Sequence, residues 1–287
     1  LVVGAEKMVF PARAEAMAAA FEGGTDIHDM EATKAFVRSL GGDADDESAG
    51  KRSIFMDLYA AQARAHMDRF GTTQKDFAAV AAKNHTHARH NPLAQYRDPM
   101  SAEEVLADKP IAFPFTRSMC APLSDGAAAA VVCNAAGLAR LAEAKPRALT
   151  IRASTLRSGV DRETGEFERH IGRLTALAAY EEAGLGPEDI DCIEVHDATA
   201  YAEVQQIENL GLAAPGTVGE CLAKGDFALG GRQPVNASGG LLSKGHPVGA
   251  TGIIQLHDLC VQLRGEAGSG QVKNAKIGLA ENGGGFL

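Results

Sequence analysis

The residues best suited to catalysis or ligand binding lie in a glycine-rich stretch over residues 235–252. It contains Asn-Ala-Ser-Gly-Gly at 236–240 and Lys-Gly-His-Pro-Val-Gly-Ala-Thr-Gly at 244–252. Glycines let a backbone come close to a ligand, and Pro247 restricts the turn beside His246. The helix predicted to follow presents free amides and a positive dipole end, so His246 could polarise a carbonyl oxygen or stabilise an enolate. A surface glycine loop with an uninvolved histidine is the alternative interpretation.

A second histidine, His196, stands where a predicted strand ends. Residues 190–195 have strand character, and the segment from Thr199 to about Asn209 has the pattern of a helix. Open α/β sheets bind their ligands at the carboxyl ends of their strands. His196 and its neighbour Asp197 therefore occupy a position that suits a ligand site.

Strands and helices alternate along the chain, which argues for an α/β fold. The apolar run at 1–8 is predicted to be a buried strand, and residues 41–50 are predicted to be an exposed acidic loop. The other predicted strands are 128–133, 147–153 and 276–280, and the other predicted helices are 53–70, those beginning after Thr73 and Ser101, 135–144, 174–183 and 253–263.

Composition narrows the class of protein. Of the 287 residues, 45% are hydrophobic and 23% are charged, and no apolar run approaches the roughly 20 residues that span a bilayer. The net charge of −9 argues against nonspecific nucleic-acid binding. The N-terminus shows no secretory signal, and the five widely spaced cysteines argue against a disulfide framework. A cytoplasmic location is the simplest expectation.

The remaining histidines are predicted to be neither catalytic residues nor metal ligands. His85, His87 and His90 alternate as metal ligands can, but no cysteine or carboxylate partner is suitably spaced. We therefore predict no metal site. Four further histidines are predicted to lie on the surface or on helix faces: His28, His66, His170 and His257.

The motifs together resemble the thiolase superfamily. Its signature, Gly-His-Pro-x-Gly-Ala-Thr-Gly after Asn-x-Ser-Gly-Gly, is similar to residues 236–252. Its companions stand in the expected order. Residues 1–8 resemble the strand after the nucleophilic-cysteine helix, 124–130 resemble the last strand of the first half, and 281–285 resemble the segment that carries Cys-x-Gly-Gly. The resemblance covers nearly the entire chain.

Three segments point to the sterol-carrier-protein-type and archaeal thiolases within the superfamily. Lys-Asn-His at 83–85 and Asn-Pro-Leu-Ala-Gln at 91–95 look similar to that branch. Val-His-Asp-Ala-Thr at 195–199 stands where ordinary thiolases carry Asn-Glu-Ala-Phe, and the related branch uses a His-Asp pair there.

The resemblance implies an α/β thiolase fold with two similar βαβαβαββ halves in a layered α-β-α-β-α arrangement. Residues 1–9 and 121–146 would belong to the N-terminal half, 10–120 to a loop domain inserted in it, and 147–287 to the C-terminal half. Both ends of the chain look like cuts through this fold, so truncation at both ends is expected.

Two departures from the thiolase pattern bear on activity. The nucleophilic cysteine of thiolases precedes the segment that 1–8 resembles, so it falls outside this chain, and Cys120 is interpreted as packing. Glu281 stands in place of the C-terminal acid/base cysteine. A glutamate has a reference pKa of about 4.3 and a thiol one of about 8.5, so Glu281 needs strong tuning to replace a thiol as a base.

In the second departure, the glutamate at position 281, this chain resembles the thiolase-like lipid-transfer proteins of steroid side-chain degradation. Those proteins are retro-aldolases. Cleavage of a β-hydroxyacyl-CoA needs a base for the hydroxyl proton and a stabiliser for the thioester enolate, but no cysteine pair. By this resemblance His246 would bind the thioester oxygen, His196 would share that role, and Asp197 would orient neighbouring groups. Tyr201 is either the residue that acts on the hydroxyl proton or an ordinary half-buried helix tyrosine.

The resemblance also implies a substrate and partners. CoA enters as the thioester part of the substrate, and no permanently bound cofactor is expected. A homodimer is expected, together with a small OB-fold protein that carries a zinc ribbon. The residues expected to approach the CoA thioester are Ser238, Gly239, Ser243, Gly283 and Gly284.

Three functions stay open on the sequence alone. The first is a retro-aldol lyase for a bulky, steroid-like β-hydroxyacyl-CoA. The second is an acetyl-CoA acyltransferase that uses a nucleophilic cysteine outside this chain. The third is a non-catalytic acyl-CoA or lipid-binding protein. Glu281 favours the first over the second, and His196 with His246 favours either enzyme over the third.

Overall fold

The computed structural model describes residues 1–9, 16, 19–20, 23–39, 53–159 and 166–284, so the acidic loop predicted at 41–50 lies outside the described residues. The helices are α1 Met30–Ser39, α2 Ile54–Phe70, α3 Gln74–Ala88, α4 Ala102–Ala107, α5 Ala135–Arg140, α6 Ile171–Ala183, α7 Ala200–Asn209, α8 Val218–Ala223, α9 Gly240–Lys244 and α10 Thr251–Leu263. The strands are β1 Val2–Glu6, β2 Pro110–Ala112, β3 Phe115–Thr116, β4 Gly126–Ala130, β5 Cys192–Glu194 and β6 Gly278–Ala280.

Three strand pairings organise the described residues. β1 runs antiparallel to β4, with Val2 opposite Ala130, and β2 runs antiparallel to β3. β5 runs parallel to β6, with Cys192 opposite Gly278. Because these two strands are parallel, the residues that follow them emerge at the same edge of the sheet. His196, which follows β5, and Glu281, which follows β6, both lie at this edge.

Local sequence signals explain where several helices begin. Thr73 precedes α3, and its backbone N–H donates to the Asp76 carboxylate at 2.7 Å. Ser101 precedes α4, where its hydroxyl accepts the Glu104 N–H at 3.2 Å and the Glu104 carboxylate accepts the Ser101 N–H at 2.7 Å. Reciprocal bonds of this kind satisfy amide donors that the first helical turn leaves free. Both predicted helix starts are therefore confirmed.

The main hydrophobic core lies between α3, β5 and α7. It includes Phe77 on α3, Ile193 on β5, and Val204 and Ile207 on α7, all with almost no solvent exposure. Burying a side chain of this size contributes about 1.5–3 kcal/mol. The core therefore holds β5 and α7 in fixed positions, and with them the segment 195–199 that joins them.

Two strand predictions differ from the structure. Residues 1–8 do contain a strand, but Val2 and Val3 are exposed rather than buried, because β1 pairs within the described residues only with β4. Residues 147–153 were predicted as a strand, which is wrong. Arg147 ends a short 3-10 helix that begins at Ala142, and 148–153 pairs with no strand among the residues described. A strand depends on hydrogen bonds to a neighbour, which an apolar pattern alone does not supply.

Two of the four histidines predicted to lie on the surface or on helix faces are buried. His66 and His170 are each only 1% exposed. His66 lies on α2, and its Nε2 atom is 2.9 Å from Glu208 Oε2 on α7. His170 precedes α6, where its Nδ1 accepts the N–H of Gly172 at 3.1 Å. These side chains lie on packed helix faces, a distinction that helical spacing does not reveal.

Candidate active site

The His246 loop is anchored by backbone contacts to the segment before β4. The His246 N–H donates to Ser124 Oγ at 3.2 Å and to Pro122 O at 3.3 Å. Gly245 has a φ of 108°, and a Cβ there would collide with the Ser124 hydroxyl. Only glycine adopts this conformation readily at so close an approach. The loop can therefore present the His246 side chain in one defined position.

The two histidines of the sequence motifs lie next to each other in the structure. The ring centroids of His246 and His196 are 5.0 Å apart, and their planes are inclined by 72°. Burial, followed by the charges of His196 and Lys244, lowers the pKa of His246 to about 3. Burial alone lowers the pKa of His196 to about 4. Both imidazoles are therefore neutral at pH 7, and a neutral imidazole can donate one hydrogen bond from its N–H.

Glu281 joins this pair through the parallel strands β5 and β6. Its backbone N–H donates to Glu194 O at 2.9 Å, and its Oε2 accepts the backbone N–H of His196 at 3.0 Å. Its Oε1 makes no hydrogen bond within the described residues. Burial raises the pKa of Glu281 to about 7, against a smaller lowering effect of the His196 N–H bond. A carboxyl group with this pKa can take up and release a proton near neutral pH.

Asp197 points away from the histidine pair. It is fully buried, and its carboxylate accepts the Leu241 N–H at 2.7 Å and the Asn84 side-chain N–H at 2.8 Å. Burial, followed by the charge of Glu203, raises the pKa of Asp197 well above its usual range. Gly240 has a φ of 59°, and a Cβ there would collide with this carboxylate. Asp197 thus caps the start of α9 and holds the loop that carries His246.

A buried polar network extends this support to α3. The Glu203 carboxylate accepts side-chain N–H groups from Asn84 and Asn236, each at 2.7 Å, and lies 2.9 Å from the ammonium of Lys83. Asn236 in turn accepts the Val195 N–H at 2.9 Å through its side-chain oxygen. Buried polar groups bonded in this way fix one arrangement of the surrounding backbone. The network ties 195–199 to the Asn-Ala-Ser-Gly-Gly segment.

The residues predicted to approach CoA occupy two different environments. Ser238 donates its hydroxyl proton to Glu194 Oε2 at 2.6 Å, and Ser243 is fully buried. A Cβ at Gly239 would lie 2.6 Å from the Ala88 Cβ, so this residue packs on α3. Gly283 is half-buried and Gly284 exposed, just beyond Glu281. Gly283 and Gly284 thus follow Glu281 in the chain by two and three residues, whereas Ser238 bonds to Glu194 and the buried Ser243 hydroxyl has no hydrogen-bond partner among the described residues.

Tyr201 lies in the core near the start of α7. Its ring packs edge-on against Phe77 at a centroid distance of 6.0 Å and against His66 at 5.7 Å. Its hydroxyl accepts a hydrogen bond from the Gln205 side chain at 3.1 Å. These contacts are those of a packed helix tyrosine, and none of the three partners belongs to the histidine pair.

Two residues beside the site were missed in the sequence. Thr251 Oγ1 lies 2.7 Å from His246 Nδ1, and its position within the Gly-His-Pro-Val-Gly-Ala-Thr-Gly motif was the available signal. Tyr59 on α2 is the other residue, since burial and then the Glu281 charge raise its pKa. No motif contains Tyr59, so only the packing of α2 identifies it.

The cysteines and metal-ligand types add no further centre to the described residues. The Cys120 thiol lies 3.6 Å from Thr116 O and the Cys192 thiol lies 4.0 Å from Ile277 O. Burial raises the pKa of each thiol to about 12, so both are protonated at neutral pH. Within the ranges that the structure describes, no group of three or more His, Cys, Asp or Glu side chains is arranged to hold a metal ion.

This chain is similar in sequence and in fold to several known proteins. The thiolase C-terminal domain-like family matches residues 164–287. Sterol carrier protein 2 of Rattus norvegicus is 38% identical over 231 residues, which cover 78% of this chain and 42% of that protein. An acetyl-CoA acetyltransferase of Methanothermobacter thermautotrophicus is 40% identical over 240 residues, which cover 80% of this chain and 60% of that protein. A solved structure titled Ltp2-ChsH2(DUF35) aldolase has a TM-score of 0.66 at 24% identity, covering 80% of this chain and 61% of that one.

The chain belongs to the thiolase superfamily. Its relatives are of the sterol carrier protein 2 and archaeal types that its motifs resemble, so the family prediction and the α/β thiolase fold are confirmed. The chain spans about half the length of the curated relatives it matches. No helix among the described residues is both long enough and apolar enough to cross a membrane.

Proposed function

We propose that this chain provides the active site of a carbon–carbon lyase that cleaves a bulky, steroid-like β-hydroxyacyl-CoA by a retro-aldol reaction. The observation that carries the proposal is Glu281, a carboxylate whose pKa burial raises to about 7 and which accepts the backbone N–H of His196, one of the two paired histidines. The group that replaces a thiol in this family thus has the tuning that a general base needs.

The chemistry uses three side chains, and Glu281 acts first as a base and then as an acid. Glu281 removes the proton of the β-hydroxyl group, and the electron pair of that O–H bond forms the carbonyl of the product as the Cα–Cβ bond breaks. The released pair becomes the enolate of the CoA thioester, whose oxygen is held by N–H donors of His246 and His196. Protonation of Cα, by the proton that Glu281 took up, gives the shortened acyl-CoA. No acyl-enzyme forms, so no nucleophilic thiol is required.

The neutral state of the histidine pair supports this assignment. An imidazolium would protonate the enolate oxygen or bind a second anion, whereas a neutral N–H stabilises developing charge without transferring its proton. Removal of one preorganised donor of this kind lowers kcat by roughly 10²–10³-fold. Because burial lowers the pKa of both His196 and His246, the pair keeps this form throughout the neutral range.

The bulky acyl group is proposed from the resemblance of the motifs to steroid side-chain aldolases. We propose CoA as part of the substrate, with its thioester approaching Gly283 and Gly284 at the exposed edge of the site. Ser238, Gly239 and Ser243 would act indirectly by holding the His246 loop. A homodimer, an OB-fold zinc-ribbon partner and a cytoplasmic location belong to the same proposal. The structural neighbour titled Ltp2-ChsH2(DUF35) aldolase is itself a two-component protein by its title.

An acyltransferase is the second candidate function, and the 40% identity to an acetyl-CoA acetyltransferase favours it. That reaction needs a nucleophilic cysteine supplied from outside this chain, with Glu281 as the proton carrier. A non-catalytic lipid-binding role is the third candidate, consistent with the name sterol carrier protein 2. It gives no reason for a carboxylate with a pKa near 7 bonded to the backbone N–H of His196.

The full-length protein with its OB-fold partner would be incubated with a β-hydroxyacyl-CoA and, separately, with a β-ketoacyl-CoA plus free CoA. Mass spectrometry would follow the products. A ketone or aldehyde together with a shortened acyl-CoA from the first substrate is the expected result. CoA-dependent cleavage of the second substrate, with an acyl-cysteine trapped on the protein, would overturn the aldolase in favour of the acyltransferase.

A further inference from the structure

The function of His246 depends on which ring nitrogen carries its proton. A neutral imidazole has one N–H donor and one nitrogen lone pair, and a contact at one nitrogen selects the form of the other. His246 Nδ1 lies 2.7 Å from Thr251 Oγ1, which is the first residue of α10. The direction of this single hydrogen bond therefore decides whether Nε2 is a donor or a base.

The Thr251 hydroxyl has one proton and two acceptors within reach. One is His246 Nδ1 at 2.7 Å, and the other is Pro247 O at 3.1 Å. Pro247 O already accepts the backbone N–H of Ala250 at 2.8 Å and that of Thr251 at 2.9 Å. A carbonyl oxygen has two lone pairs, and these two shorter bonds use both. The hydroxyl proton is therefore better accommodated by the ring nitrogen.

We infer that Thr251 donates its hydroxyl proton to His246 Nδ1 and thereby keeps the ring proton on Nε2. In this form Nε2 presents an N–H donor, which suits a thioester or enolate oxygen and cannot remove a proton. The opposite arrangement would send the hydroxyl proton to the already saturated Pro247 O and would leave Nε2 as a base.

The catalytic consequence rests on the proposed function, in which Glu281 is the base and His246 the donor. The tautomer itself is a property of the free protein and needs no substrate. Thr251 is only 2% exposed and acts through His246, so it is a positioning residue. A matched control exists in Thr175 on α6, whose hydroxyl donates to Ile171 O at 2.8 Å in the same i to i−4 geometry without a histidine beside it.

Nitrogen-15 NMR of histidine-labelled protein at pH 7 tests the inference directly, because protonated and unprotonated ring nitrogens have well-separated chemical shifts. The His246 signals are assigned by comparison with the variant His246→Gln. We expect a protonated Nε2 and an unprotonated Nδ1 in the unmodified protein. A protonated Nδ1 there would overturn the inference.

Variants then test whether Thr251 is the cause. Thr251→Val should mix the two tautomers and lower kcat for the CoA thioester about 10- to 1000-fold with a smaller change in KM. Thr251→Ser should restore both properties, and Thr175→Val should leave both unchanged. An unaltered tautomer and kcat in folded Thr251→Val would refute the positioning role. An Nε2–H tautomer without any retro-aldol turnover would sink the proposed function and leave this inference standing.

Discussion

Asp197 follows His196 in the chain and Glu281 accepts the His196 backbone N–H, yet their surroundings give these two carboxylates different roles. Asp197 is fully enclosed and is held by the Leu241 N–H and the Asn84 amide. Glu281 accepts one N–H, from His196, and no described residue bonds its second oxygen. The comparison teaches that burial alone does not mark a reactive acid. A carboxylate with both oxygens hydrogen-bonded supports the fold, whereas one with an unengaged oxygen and a pKa near neutrality can carry a proton.

The largest expected effect comes from removing the charge of Glu281. Glu281→Gln should lower retro-aldol kcat about 10²–10⁴-fold with little change in stability, because the amide oxygen can still accept the His196 N–H. Steady-state kinetics and thermal unfolding measure the two properties. Tyr201→Phe is the companion variant, because the sequence left open whether Tyr201 acts on the hydroxyl proton or is an ordinary helix tyrosine. Normal kcat in Glu281→Gln together with loss in Tyr201→Phe would transfer the role to the tyrosine.

His246→Ala should lower kcat by about 10²–10³-fold, because it removes one donor to the enolate oxygen. The backbone contacts of residue 246 to Ser124 and Pro122 do not involve the ring, so the loop should keep its position. His257→Ala, on the exposed face of α10, is the matched control and should retain full activity. Full turnover by His246→Ala would contradict the site assignment in either enzyme candidate.

The pH dependence of kcat/KM should report Glu281. A base acts in its deprotonated form, and the pKa of Glu281 is about 7, so activity should rise about tenfold per pH unit below pH 7 and level off above it. The histidine pair should add no limb between pH 5 and 9, since burial lowers both histidine pKa values to about 3 and 4. A profile that levels off near pH 4.5 would mean that the carboxyl group at position 281 is untuned.

Substitution of Asp197 is expected to change kcat the least of these variants. Its main effect should be on the free energy of unfolding. Asp197→Asn places an N–H group against the Leu241 N–H or the Asn84 amide, which should lower the free energy of unfolding by about 1–3 kcal/mol. Urea denaturation measures the change, with the exposed Asp98→Asn as the control. An unchanged unfolding free energy combined with lost activity would place Asp197 with the reacting groups and would erase its contrast with Glu281.

The sequence motifs identified His246, His196 and Glu281, but not how they meet. Glu281 is 85 positions from His196, and only the parallel pairing of β5 with β6 brings it to the His196 N–H. The helix starts at Thr73 and Ser101 depend on residues three positions apart, which explains why they were predictable. Local chemistry is visible in a sequence, whereas a convergence of distant segments depends on strand pairing.

Side-chain direction was the second property that the sequence left open. Ser243 belongs to a ligand-loop motif, yet α9 packs against α3 and buries it completely. Tyr201 has the spacing of a residue beside His196, yet its ring packs on Phe77. Tyr59 shows the converse, since the charge of Glu281 contributes to its raised pKa although it carries no motif at all. Each of these directions is decided by helix packing between segments far apart in the chain.

Carbon-13 NMR titration of the Glu281 side-chain carboxyl tests the central claim most directly. The protein is labelled at its glutamate carboxyl carbons, and the Glu281 signal is identified by its absence from Glu281→Gln. We expect this signal to titrate with a pKa of about 7, because burial opposes ionisation and one N–H only partly offsets it. A midpoint near 4.5, the ordinary value for glutamate, would contradict the claim that a tuned carboxylate replaces the thiol base.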